Sequence, residues 1–100
     1  MRVKQIQLAG VYYSWALKQG MTPHLSVGDE VELVRRPDSK FDVNQVDVRH
    51  EEAGLVGNIP KEYAAKLSPW LLQHQASAKI TEIDLGEVPP RIIIQLWRKE

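Results

Sequence analysis

The chain contains no cysteine, a single phenylalanine, three histidines and no surplus of charge of either sign. Without cysteine there are no disulfides, no thiolate-bound zinc and no catalytic thiol. His24, His50 and His74 stand apart, with neither the i, i+4 pairing nor the neighbouring carboxylates that gather ligands around a metal, so no metal site is expected. Lys and Arg number 13 against 13 Asp and Glu, and the balance is local too: seven against six in residues 1–50, six against seven in residues 51–100. A polyanionic partner would therefore have to be met by a local patch and not by bulk charge. The N-terminal MRVKQIQLAG has no apolar run long enough for a signal peptide or a membrane span, which makes the cytoplasm the expected location. Also missing are a nucleophile–base–acid set, a glycine-rich phosphate loop and paired metal carboxylates. The expectation is a protein that is not an enzyme and needs no cofactor.

What the chain does have is the make-up of an ordinary globular protein, 43% hydrophobic and 26% charged. One hundred residues suit one domain, 1–100, because halving them would leave each part too small a core. A chain of this size buries about 60–65% of its unfolded surface, enough for a single core without a deep cavity.

The hydrophobic pattern is mostly that of strands. In VKQIQLA, residues 3–9, apolar and polar positions mix at a strand-like spacing, Gly10 permits a bulge, and Val11-Tyr12-Tyr13 continues as strand-like sequence. Residues 14–23 end in Gly20 and Pro23 and read as a loop. Val27-Gly28-Asp29 turns into EVELVRR, where Val31 and Leu33 alternate with Glu30 and Glu32 until Pro37 ends the ladder. After a polar loop at 38–44, QVDVRH alternates with Val46 and Val48 inward. Glu51 to Gly54 fits a hairpin connection, and Leu55 to Ile59 pairs back. Pro60 opens a helix with Glu62 in its first turn and Tyr63, Ala64 and Leu67 as an apolar stripe. Ser68-Pro69 has the form of a cap and first position for a second helix. Residues 78–85 and 91–98 are two more strands around a GEVPP turn. The expected architecture is mainly β: a small antiparallel barrel of five to six strands, OB-like or SH3-like, with a helical hairpin at about 60–75.

The succession Gly10-x-Tyr12-Tyr13, Gly28-x-x-Val31-x-Leu33, Arg36-Pro37-Asp38, Phe41-Asp42-x-Asn44, Val56-Gly57-x-Ile59-Pro60 and Ala64-Ala65-x-Leu67 resembles the HIRAN domain. That module occurs at the N-terminus of helicase-like transcription factor and related Swi/Snf-type ATPases, and as small stand-alone bacterial proteins. The resemblance runs from about residue 8 to residue 72. It implies a modified oligonucleotide-binding barrel that holds the 3′ end of single-stranded DNA, with a role in DNA repair or replication-fork processing and a helicase or nuclease on another chain. The positions that would line the pocket for the terminal nucleotides are Tyr12, Tyr13, Phe41 and Asp42, the carboxylate lying near the 3′-hydroxyl. This chain departs from the pattern twice. Val11 stands where the ATPase-associated domain has arginine, and Asn58 where it has a basic residue or histidine.

The residues themselves leave alternatives open. Adjacent strand residues point to opposite faces, so of Tyr12 and Tyr13 one belongs to the core and one to the surface; both serve packing, or they form a stacking platform extended by Trp15. Asp and Asn both cap turns. Here Asn44 is expected to make the turn and Asp42 to face the ligand, since an acceptor next to a polyanion suits a sugar hydroxyl better than a phosphate. Arg35 and Arg36 are an ordinary charged sheet edge or a phosphate contact. Lys61, at the start of the helix near Asn58, is the other candidate cation, and the helix terminus adds backbone N–H groups. The competing reading is a protein-interaction β-barrel that binds no nucleic acid.

Overall fold

In the computed structural model, residues 4–11, 25–84, 86 and 90–99 are described. Six strands and one helix follow one another: β1 (Lys4–Gln7), β2 (Glu30–Arg35), β3 (Val46–His50), β4 (Gly54–Asn58), α1 (Lys61–Leu71), β5 (Ala76–Asp84) and β6 (Arg91–Arg98). All pairings are antiparallel, in the spatial order β1-β6-β5-β2-β3-β4. The sheet curls, helped by irregularities between Val48 and Arg49 and between Ile80 and Glu82. Its two edges meet just beyond β1, where Ala9 and Asn58 exchange backbone hydrogen bonds of 2.8 Å each. This is the expected small barrel.

Two glycines make that closure possible. Gly57, on β4, leaves room for the approaching chain: a Cβ there would stand 2.9 Å from the Ala9 carbonyl oxygen. Gly10 has φ +67°, and a Cβ on it would collide with the Asn58 side-chain carbonyl.

The alternation read in β2 and β3 holds. Val46 and Val48 are fully buried, Val31 and Leu33 pack against the core, and Glu30 and Glu32 are exposed. Ile80, Ile92, Ile94 and Leu96 fill the barrel from β5 and β6. Each such side chain contributes about 1.5–3 kcal/mol through removal from water. Val11 lies outside the strands and is buried, while Tyr12 and Tyr13 fall outside the described residues.

The helical segment differs from the expected hairpin. It is one helix, Lys61–Leu71, followed by a turn, and Ser68-Pro69 do not restart it. Ser68 faces inward with no exposed surface and accepts a hydrogen bond from Arg35 Nε at 3.0 Å, so its hydroxyl serves tertiary structure and not a cap. Pro69 lacks the N–H that would reach Ala65, and Ala65 is on the solvent side, where water can serve its carbonyl. Ala64 and Leu67 are buried as the pattern demands. Tyr63 is partly exposed under Lys4 Nζ, 4.4 Å from the ring centre, and Leu72, past the helix end, is exposed while Leu71 packs inward.

Candidate nucleic-acid interface

Between β2 and β3, residues 36–45 form a loop closed by its own hydrogen bonds. Arg36 N–H donates to the Gln45 carbonyl at 2.8 Å, and Gln45 N–H to the Asp42 carbonyl at 3.0 Å. Ser39 is the hub. Its hydroxyl donates to Gln45 Oε1 at 2.6 Å and accepts from the N–H groups of Phe41 and Asp42 at 3.1 and 3.3 Å. The loop is therefore fixed by polar contacts, and it holds Phe41 92% exposed with Val43 exposed beside it.

Asp42 is half-buried, and its Oδ1 accepts the N–H of Asn44 at 2.9 Å. The turn is thus capped by the carboxylate of Asp42, where Asn44 was expected to make it. A side chain capping two residues ahead commits one oxygen, and a carboxylate has a second.

Arg35 and Arg36 diverge, as adjacent residues at a strand end must. Arg35 reaches the helix and Ser68. Arg36 stays with the loop, its Nη1 3.1 Å from Asp47 Oδ2 and its Nε 3.4 Å from Asp38 Oδ1. Asn58, at the end of β4, donates its Nδ2 to Asp47 Oδ1. Lys61 is exposed at the first residue of α1, three positions on. The structure thus brings Arg36, Phe41, Asp42 and Asn58 onto one region, with Lys61 following on the chain, and takes Arg35 toward the helix.

Asp47 has no place among the expected site residues, yet it is the centre of this region. Only 2% of it is exposed, and it accepts from Arg36, from Gln45 Nε2 at 2.8 Å and from Asn58. Alternation in QVDVRH sends Asp47 to the outer face, opposite Val46 and Val48, and the polar side chains around it cover that face. The legible signal was an acid between two inward valines. What covers it came from residues distant in sequence.

A second polar centre lies at the β3–β4 turn. His50 Nδ1 accepts the N–H groups of Glu52 and Ala53, both at 3.1 Å, so its Nε2–H donates to Asp29 Oδ2 at 2.9 Å. The Asp29 carboxyl is held below the usual carboxylate range, chiefly by the backbone N–H of Ser26 and next by His50. Among the described residues no cluster of three or more His, Asp or Glu is arranged to hold a metal ion, and no helix is long and apolar enough to cross a membrane.

The family model of the HIRAN domain matches residues 3–96. The crystal structure of the HIRAN domain of human HLTF superposes with a TM-score of 0.71 at 19% identity, covering 99% of this chain and 78% of that one. The crystal structure of a protein from Lactobacillus plantarum superposes with a TM-score of 0.80 at 20% identity, covering 97% of this chain and 93% of that one. At these identities the likeness to the two structures is one of fold. No curated protein matches the sequence.

Proposed function

The chain belongs to the HIRAN domain family, and from that premise we propose that it is a non-catalytic module that binds single-stranded DNA by its 3′ end. The observation that carries this reading is Phe41. A lone phenylalanine held 92% exposed on a loop fixed by its own hydrogen bonds is a ready stacking face, and a stacked base is worth about 1–3 kcal/mol. Beside it, Asp42 keeps Oδ2 without a donor among the described residues, an acceptor suited to a sugar hydroxyl. In this reading Tyr12 and Tyr13 also stack on bases. Arg36, Asn58 and Lys61 supply the polar rim, and Arg35 joins it from the helix side. The work belongs to DNA repair or replication-fork processing in the cytoplasm, alongside a helicase or nuclease on another chain.

Fluorescence anisotropy with oligonucleotides of one sequence, ending in a 3′-hydroxyl or a 3′-phosphate, tests this. The hydroxyl end is expected to bind at least about tenfold more tightly. Equal binding of both ends sinks the end-recognition reading.

A second reading has its own observation. Arg36 already meets two carboxylates, Asp38 and Asp47, so the arginine of this loop is largely neutralised, and Phe41 with Val43 makes an exposed apolar pair. Those features suit a protein-interaction barrel. Failure of both oligonucleotides to bind brings it forward.

A further inference from the structure

Asp47 lies beneath the proposed site without being part of its surface. A carboxylate buried to this degree is costly unless donors surround it, and three do, from three separate stretches: Arg36 after β2, Gln45 before β3, and Asn58 at the end of β4. A carboxylate only accepts, so Asn58 must turn its amino group toward Asp47 and its carbonyl away. That carbonyl comes to rest against Gly10, where a Cβ would collide with it. The backbone of Asn58 is bonded to Ala9 at the same place. Asp47 thus connects the two walls of the region. One is the 36–45 loop that carries Phe41 and Asp42, and the other is the Ala9–Val11 stretch that leads into Tyr12.

We propose that Asp47 is a positioning residue for DNA-end binding, acting through Arg36 and Asn58 to set the 36–45 loop and the Gly10 turn in register with each other. The proposal rests on the DNA-end reading. It also opposes what charge alone predicts. A carboxylate this near a polyanion repels it, so by charge its loss would strengthen binding; by position its loss weakens binding.

The test is a double-mutant cycle of Asp47→Asn and Asn58→Asp, whose combination exchanges acceptor and donor and restores the bond between the two side chains. Affinity is measured by anisotropy with a 5′-labelled oligothymidine bearing a free 3′-hydroxyl, with urea denaturation giving the folded fraction of each variant. Each single change is expected to weaken binding by the folded protein about tenfold or more, and the double variant to bind more tightly than the two losses together predict, with full recovery not expected because Asn58→Asp also removes a rim donor. In ¹⁵N spectra without ligand, the amide signals of Gly10 and Phe41 are expected to move in both single variants and to return in the double. Should D47N fail to fold, Asn58→Ala, which removes one donor, takes its place with the same weakening and the same two shifts expected. Binding as tight as or tighter than wild type by folded D47N, or Gly10 and Phe41 signals that stay put, overturns the proposal. If the wild type does not bind the oligothymidine, the DNA-end reading fails while the spectra still decide the role of Asp47.

Discussion

Asp42 has two oxygens in different settings. Oδ1 caps Asn44, and Oδ2 is without a donor among the described residues. Replacing it by alanine would remove both and confuse turn with ligand. Asp42→Asn separates them, because an asparagine carbonyl still caps the turn while its amino group donates where the carboxylate accepted. On the hydroxyl-ended strand D42N is expected to lose roughly 1.5–3 kcal/mol, the range for a hydrogen bond to a charged acceptor. On the phosphate-ended strand it is expected to gain, since repulsion is replaced by a donor. An unchanged ratio between the two ends in anisotropy leaves Asp42 as a turn residue alone. Phe41→Ala makes the contrasting case. Stacking ignores the terminal group, so both strands are expected to weaken alike, by about 1–3 kcal/mol. Because Phe41 is 92% exposed, thermal stability is expected to change by no more than about 0.5 kcal/mol.

At the scale of elements, strands were legible and the helix was only half so. Period-two alternation marks β2 and β3 because each buries one face, and Pro60 with Glu62 marks the start of α1. Ser68-Pro69 misled, because a cap serine and a buried serine look alike until the partner is known, and the partner, Arg35, is 33 residues away. Ser68→Ala leaves Arg35 Nε without its acceptor in a part-buried position and is expected to cost about 1–3 kcal/mol in urea denaturation; no loss would mean the hydrogen bond is idle. The β3–β4 turn gives a pH-dependent counterpart. Asp29 has a lowered carboxyl pKa in the fold, so its contribution to stability is complete above the ordinary aspartate value of about 3.9 and is lost as pH falls through the lower folded value. Asp29→Asn is therefore expected to reduce stability at neutral pH and to flatten the acid limb of the stability curve below about pH 4. A limb of unchanged slope would place the acid sensitivity elsewhere.

For the whole molecule, closure and charge act together. The sheet is closed by Ala9 and Asn58, and the same Asn58 joins Asp47 and, through it, Arg36, so the seam of the barrel and the proposed binding region are one place. That coincidence could not be read from sequence. It depends on which strand edges meet, whereas the individual residues at the seam, Gly10, Gly57 and Asn58, were already marked out by their motifs. The seam also limits how the barrel can attract a polyanion. Net charge is zero, Arg36 is paired with Asp38 and Asp47, and Arg35 is drawn to the helix, which leaves as exposed cations Lys40, next to Phe41 in the loop, and Lys61, three residues after Asn58. Roughly one to three phosphates are then neutralised on binding. Each contributes about −0.7 to the slope of log K against log salt for a single strand, so a slope of about −0.7 to −2 is expected. Lys61→Ala is expected to make it shallower by about 0.7 while leaving the proposed preference for a hydroxyl end intact, since the proposal assigns that preference to Asp42 and not to phosphate contacts. A wild-type slope steeper than about −5 would require a basic surface far larger than these residues provide, and would move the binding site away from the seam.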